Sequence, residues 1–316
     1  MSNWEERRLL VKVAQMYYEE DMTQNEISKE LGIYRTTIGR MLKKARKEGI
    51  VQIHIDNTSY ETFELETKIK KVFQLKDVII VPNNNHDSDE KRKAALGYAT
   101  LELMNRIIKD DDTVGFAWGK TLGSMIEQPM EYKPKKVDFV PLVGGPGTLD
   151  SKYHVNTIIY NVANTFGGSS HFIDAAAVVE KKETKNDIVT SNFFKKILDM
   201  WQKLNIAVVG IGAPLASSNM IWTGFYGDKE IDELNNLDAV GDICSRFYDI
   251  NGQVIESEVA ERTVAIELDR LKELEYSIGV AESANKVPSI LGALRGKYVN
   301  VLITNESTAE ELLKKI

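Results

Sequence analysis

The sequence predicts an α/β protein in two parts, a small N-terminal winged helix-turn-helix and a larger α/β domain on a mostly parallel sheet. Three observations carry that prediction. From residue 77 onward, short apolar runs alternate with amphipathic helical stretches, the pattern of a sheet covered on both faces. Ahead of them, residues 22–47 read as two short helices about a glycine turn, the second strongly basic. The chain is also 316 residues long, past the roughly 250–300 residues at which single cores stop growing. The expected division is a winged helix-turn-helix domain over 1–55, a linker helix over 56–75, and the α/β domain over 76–316.

Composition narrows the function classes. Hydrophobic residues make up 43% and charged residues 28%, as in soluble globular proteins. No apolar run approaches the ~18–20 residues of a membrane span, and the charged start MSNWEERR lacks a signal-peptide core, so a cytoplasmic protein without a membrane partner is expected. Cys244 is the only cysteine, which excludes internal disulfides and a thiolate metal cage. Net charge is −7, but residues 1–55 carry ten Lys/Arg against eight Asp/Glu, leaving about −9 on the rest. A locally basic reader on an acidic body suits one specific site better than nucleic acid in bulk.

In chain order, residues 4–18 place Leu9, Leu10, Val13, Met16 and Tyr17 on one face of a helix that would back the reading helices. Residues 24–31 form the first of these, with Ile27 and Leu31 four apart. Gly32 and Ile33 make the turn, where glycine supplies a positive φ. Residues 35–47 form the second, with Ile38, Met41, Leu42 and Ala45 inward. Between Tyr34 and Lys47 stand six Lys/Arg and no acid. In such a motif the N-terminal residues of the second helix enter the major groove. Arg35, Thr36, Thr37, Arg40, Lys43 and Lys44, with Gln24 at the start of the first helix, are the candidate DNA contacts. Alternation over 50–55 predicts a strand or wing, after which 61–74 reads as a helix that joins the domains or pairs with its counterpart in a dimer.

Buried strands are expected at 77–81, 113–117, 137–143, 206–211, 263–266, 277–281 and 299–303. Helices are expected at 88–108, 154–166, 191–204 and 287–294. Ligands bind such sheets at the carboxyl ends of the strands, so the loops there carry the candidate chemistry. After the second strand comes Trp118-Gly119-Lys120-Thr121, where a glycine and free N–H groups at a helix start suit an anion. It is not a Walker A loop, because Val114 stands where that pattern needs glycine. Gly144-Gly145-Pro146-Gly147 follows the third strand, with His154 and Asn156 opening the next helix. Gly212-Ala213-Pro214, Asp242 and Lys286 are the remaining candidates. Neither HExxH nor GxSxG occurs, and the four histidines are scattered, so binding is favoured over catalysis and no cofactor is expected.

The blocks TQNEISKELGIYRTTIGRMLKKARKEGIVQI, VGFAWGKTL, VPLVGGPG, AVGDICSRFYDINGQV and PSILGALRGKYVNVLITNESTAEELL resemble the SorC/DeoR-type bacterial regulators of sugar catabolism over essentially the full length. That group includes the central glycolytic genes regulator. The resemblance implies a winged helix-turn-helix joined to an effector domain similar to sugar-phosphate isomerases of the glucosamine-6-phosphate deaminase type. It further implies a homo-oligomer, tetramer favoured, that answers a sugar or sugar phosphate while bound to operator DNA with palindromic or repeated half-sites. It assigns phosphate contact to Gly119, Lys120 and Thr121, completed by Lys286, and the sugar to Val143, Gly144 and Gly145, with polar contacts from His154, Asn156 and Asp242.

Three departures from the family pattern stand out. Val143 occupies a position where relatives carry Lys or Arg, which rules out a Schiff-base link there. Ala281-Glu282-Ser283 replaces Ala-Gly-Gly, so Glu282 is expected to set a negative charge beside the anion and favour one phosphate over two. Tyr34 stands where relatives place a serine helix cap. The expected function is a DNA-binding regulator of a sorbitol- or sorbose-like operon; the alternative is a sugar-phosphate isomerase or deaminase with a helical appendage.

Overall fold

A computed structural model of the chain describes residues 3–52, 62–83, 87–127, 130, 132–147, 151–212 and 226–316. Its contacts separate two units, Met1–Ser59 and Tyr60–Ile316.

The first unit is three helices, α1 (Asn3–Tyr18), α2 (Gln24–Leu31) and α3 (Arg35–Lys47). Helix α2 begins with a capping box: Thr23 Oγ1 accepts the Glu26 N–H at 3.3 Å, and the Glu26 carboxylate accepts the Thr23 N–H at 2.7 Å. It ends at Gly32, whose φ of 66° turns the chain and sends its N–H back to the Ser28 carbonyl. Ile27, Ile38 and Leu42 are buried with Val13 and Met16 of α1, and Ala45 is buried with Leu10 and Ala14. Burying an aliphatic side chain of this size is worth ~1.5–3 kcal/mol, so α3 is held by the face opposite its cations. Ile50 and Val51 pack on the Ala45 cluster but form no strand. The rest of the expected wing, 53–55, lies outside the described residues.

The second unit is a seven-stranded parallel sheet ordered β1-β9-β8-β5-β2-β3-β4. The strands are β1 (Asp77–Val81), β2 (Thr113–Phe116), β3 (Asp138–Pro141), β4 (Ser169–Ser170), β5 (Ile206–Gly210), β8 (Tyr276–Val280) and β9 (Val301–Asn305). Every residue of β2 and β9 is buried, as expected of strands covered on both faces. Helices Asp89–Ile107, Val155–Phe166, Asn192–Gln202 and Val287–Arg295 fall where the periodicity put them. Ser88 caps the first, accepting the Lys91 N–H, and Ser191 caps the third, accepting that of Phe194.

The helix expected at 61–74 is present and packs within the larger unit, while two other stretches depart from the pattern read in sequence. Helix Thr62–Phe73 buries Ile69 in the core of the larger unit, and its Glu66 Oε1 accepts the Ile80 N–H at 2.8 Å. That helix therefore covers the edge strand β1, as an exposed sheet edge requires. Residues 263–266 are not a strand of the sheet. Thr263 and Ala265 make single antiparallel bridges to Val178 and Val143, and the Ala265 and Ile266 carbonyls accept from the Arg246 guanidinium at 3.2 and 2.9 Å. A buried apolar run satisfied that way carries a strand's composition without its ladder. The stretch 241–248 instead forms a second sheet, the antiparallel hairpin β6 (Gly241–Ile243) and β7 (Arg246–Tyr248).

Candidate functional site

In the first unit, Arg35, Thr36, Arg40 and Lys43 are exposed on α3, opposite Ile38, Leu42 and Ala45, while Thr37 is half-buried. Lys44 leans back onto α1. It is ion-paired with Glu6 and stands 3.6 Å from Glu48, so part of its charge is already answered. Gln24 sits over Gly39, where an added Cβ would lie 3.3 Å from its Oε1. Gly39 thus keeps the start of α2 close against the middle of α3. The cap of α3 is Tyr34, whose side chain makes no capping hydrogen bond.

In the second unit, sheet topology locates the other site. From β2 the chain proceeds outward through β3 to β4, and from β5 it proceeds the opposite way through β8 to β9. The order therefore reverses between β2 and β5, and a crevice forms outside the carboxyl ends of two strands whose connections diverge. A cavity lies there, lined by Ala117–Leu122 after β2, Gly210–Gly212 after β5, Val143, Asp242, Cys244, Ser245 and Lys286. Among the ten expected effector residues, Gly119, Lys120, Thr121, Val143, Asp242 and Lys286 come together on this wall.

The other four do not line the cavity as described. Gly144 and Gly145 donate their N–H groups to the carbonyls of Val264 and Ala175, at 2.9 and 2.8 Å, which ties the loop to neighbouring chain. His154 caps its own helix, with Nδ1 accepting the Asn156 N–H at 3.2 Å. Its ring lies so close to Gly145 that a Cβ there would fall 2.3 Å from Nε2, and burial lowers its pKa. Asn156 is committed on both atoms of its amide, donating to the Ile173 carbonyl at 3.1 Å and accepting the Ile173 N–H at 3.3 Å. These polar side chains serve neighbouring backbone rather than the cavity surface. A helix start near a glycine loop looks the same in sequence whether its polar residues face a ligand or a neighbouring backbone.

The cavity brings opposite charges together, of which only the carboxylate is buried. The Asp242 carboxylate is buried, and desolvation raises its pKa to about 6 against the pull of the Ser245 N–H and Lys286. Its Oδ2 accepts that Ser245 N–H at 3.1 Å. Its Oδ1 lies so near Gly212 that a Cβ there would come within 1.7 Å, so only glycine fits. Lys286 donates to the Ile211 carbonyl at 2.9 Å; burial lowers its pKa, while Asp242 and Glu282 raise it. Lys120 is exposed at the rim, and Thr121 is buried. The expected helix after Gly119 is a single turn, Lys120–Gly123, continued by a 3-10 turn.

Glu282 has partners that its sequence neighbours did not show. It is buried, but its Oε2 stands 3.4 Å from Arg92 Nε and accepts the Asn305 amide at 3.0 Å. It does not line the cavity. Its charge is paired with Arg92 but still acts on Lys286, so its opposition to an anion there is reduced rather than removed. Ser283 takes φ 111°, the left-handed region that glycine favours.

Sequence reasoning missed Cys244 and Ser245. They are the two-residue loop of the β6–β7 hairpin, with φ of 53° and 62°. A loop of that kind needs positive φ at both central positions and is announced by Asn-Gly or Asp-Gly. Here Cys-Ser adopts it, held by the Asp242 carboxylate, so the usual signal is absent. Strain of this kind gathers at functional sites.

Comparison with known proteins follows the same division. The Sugar-bind profile, a sugar-binding domain, matches residues 58–314, and a winged helix-turn-helix DNA-binding profile matches residues 15–52. The chain is 43% identical over 316 residues to the sorbitol operon regulator of Klebsiella pneumoniae, covering 99% of this chain and 100% of that one. It is 30% identical over 312 residues to the deoxyribonucleoside regulator of Bacillus subtilis (strain 168), covering 99% of each. The crystal structure of the full-length sorbitol operon regulator SorC from K. pneumoniae superposes with a TM-score of 0.76 over 97% of this chain and 98% of that one, again at 43% identity. A transcriptional regulator from Streptococcus pneumoniae TIGR4 gives 0.77 over 82% of this chain and 99% of that one, at 34% identity. These relatives are regulators rather than enzymes, and the chain belongs to the SorC family of transcriptional regulators, with a helix-turn-helix for DNA and a sugar-binding domain for the effector.

Proposed function

We propose that this chain controls a carbohydrate operon of the sorbitol or sorbose type, and that its effector is a sugar or polyol monophosphate held in the cavity between the ends of β2 and β5. The observation that supports this most is the meeting of Lys286, Lys120 and Thr121 with the Asp242 carboxylate in one crevice. Two ammonium groups, less one carboxylate, suit a single phosphate. Asp242, an acceptor when ionised, suits a hydroxyl of the sugar. Val143 offers no amine, so the effector is bound non-covalently at that position. The sorbitol-type assignment takes its direction from the 43% identical relative.

On DNA, the reading assigns contacts to Arg35, Thr36, Thr37, Arg40 and Lys43, with Gln24 at the entry and Lys44 in a lesser role. One short recognition helix makes few phosphate contacts, and paired half-sites supply the missing affinity. The protein is therefore at least a dimer, tetramer favoured, on a symmetric or repeated operator. Sedimentation at micromolar concentration tests the assembly, and a monomer with and without DNA would refute it. The effector is tested by thermal shift with hexitol and ketose monophosphates beside the free polyols. A clear rise with a phosphorylated ligand, lost in Lys286→Met, supports the reading; stabilisation by a free polyol that survives the change would refute the phosphate assignment.

A further inference from the structure

The two helices of the DNA-reading motif are started in different ways. Helix α2 has a complete capping box from Thr23 and Glu26. Helix α3 begins at Tyr34, whose side chain forms no capping hydrogen bond, and its first turn holds no acid. Tyr34 is also 85% exposed, more than any other large hydrophobic side chain among the described residues. It neither packs nor caps. Exposed Arg35 and Thr36 follow it directly, with Arg40 further along the helix. Locally unfavourable residues that do nothing for the fold gather where function needs them.

We propose that Tyr34 is a base-reading residue of the operator complex, its ring packing on the 5-methyl group of a thymine in the major groove. The inference rests on the DNA-binding role of this unit. Residues at the start of a recognition helix reach base edges. The thymine methyl is the apolar feature of the major groove, and apolar or aromatic side chains are its partners. An aromatic ring is stiff, with two side-chain torsions, and extends further from the helix than Thr36. Arg35 and Arg40 are left to guanine edges and phosphates, so Tyr34 adds a second kind of readout to the same surface.

The test uses the full chain and a duplex enriched from a random-sequence pool by the wild-type protein, with a scrambled duplex of equal composition as control. Fluorescence anisotropy is read for wild type, Tyr34→Phe and Tyr34→Ser. Tyr34→Phe should bind the enriched duplex within about twofold of wild type, while Tyr34→Ser should lose about tenfold there and little on the scrambled duplex. Serine can cap the helix, so the melting temperature of Tyr34→Ser should equal or exceed that of wild type. Replacing the contacted thymine by uracil should weaken wild type and leave Tyr34→Ser unchanged. Should Tyr34→Ser fold poorly, Tyr34→Phe and the uracil duplex with wild type still decide. Equal losses on both duplexes would show a phosphate contact and overturn the proposal. So would an unchanged Tyr34→Ser, a Tyr34→Phe as weak as Tyr34→Ser, or indifference of wild type to uracil. If wild type enriches no duplex at all, the DNA-binding role falls and this inference falls with it.

Discussion

The Lys286 ammonium donates to the Ile211 carbonyl at 2.9 Å, which fixes a cation at the end of β5 beside the buried Asp242 carboxylate. A half-buried cation held by one backbone acceptor is poised for an anion, because its remaining protons are available to a phosphate without further ordering of the side chain. A ligand at a hundred times its dissociation constant stabilises the fold by about 2.7 kcal/mol. In Lys286→Met that increment should vanish while the protein stays folded, as thermal shift with a polyol monophosphate can show.

Lys120 should behave differently. It lines the cavity but is exposed. Lys120→Ala should therefore weaken a phosphorylated effector by roughly tenfold, and the loss should shrink with rising salt. Titration calorimetry at two ionic strengths checks this; a loss independent of salt would place the ammonium inside the cavity.

Asp242 makes stability depend on pH. Its folded pKa, raised to about 6, exceeds the ordinary aspartate value of 3.8. Between those values the folded state binds more protons than the unfolded state, so stability falls as pH rises from about 4 to 6 and then levels off. The full shift corresponds to about 3 kcal/mol as an upper bound. Asp242→Asn should remove that decline and gain stability relative to wild type at pH 7 but not at pH 4. Chemical denaturation at both pH values measures the difference.

Glu282 should prove structural. Glu282→Gly removes the carboxylate that holds Arg92 and Asn305, and losing such charged hydrogen bonds at a buried site costs ~1.5–3 kcal/mol. A lower melting temperature with little change in effector affinity is expected. A several-fold gain in phosphate affinity would instead show that its charge reaches the cavity.

On the DNA side, Arg40→Ala should cost ~1–3 kcal/mol and relax preference at one base pair, as expected if its guanidinium reads a guanine. Lys43→Ala should weaken all sequences alike and lower the salt slope by about one unit. Binding isotherms on operator and random duplexes separate the two, and equal behaviour of both variants would reverse the assignment of roles.

Local rules made much of this protein legible in its residues alone. The positions Ile27, Ile38, Leu42 and Ala45 follow the helical period, so the helix-turn-helix and its cationic face could be read directly, down to the bounds of α2 and α3. Strands such as Asp77–Val81 showed as apolar runs between helices because a parallel sheet buries both faces. The loop after β2 and Lys286 could be named because ligands collect at strand ends, whereas the contact role of Asp242 came from the family resemblance.

What faced the cavity was decided only by tertiary structure. Which side of a loop a polar residue presents depends on partners distant in sequence: Ile173 occupies Asn156, Gly145 receives the His154 ring, and Arg92 answers Glu282. The Cys244–Ser245 turn carried no turn signature because its positive φ angles are held by the Asp242 carboxylate and the strands around it, not by residue preference. Periodicity reports how a residue repeats along its own element. Burial of charge and choice of hydrogen-bond partner are set by the elements that meet it, and those come together only when the chain has folded into the sheet order β1-β9-β8-β5-β2-β3-β4.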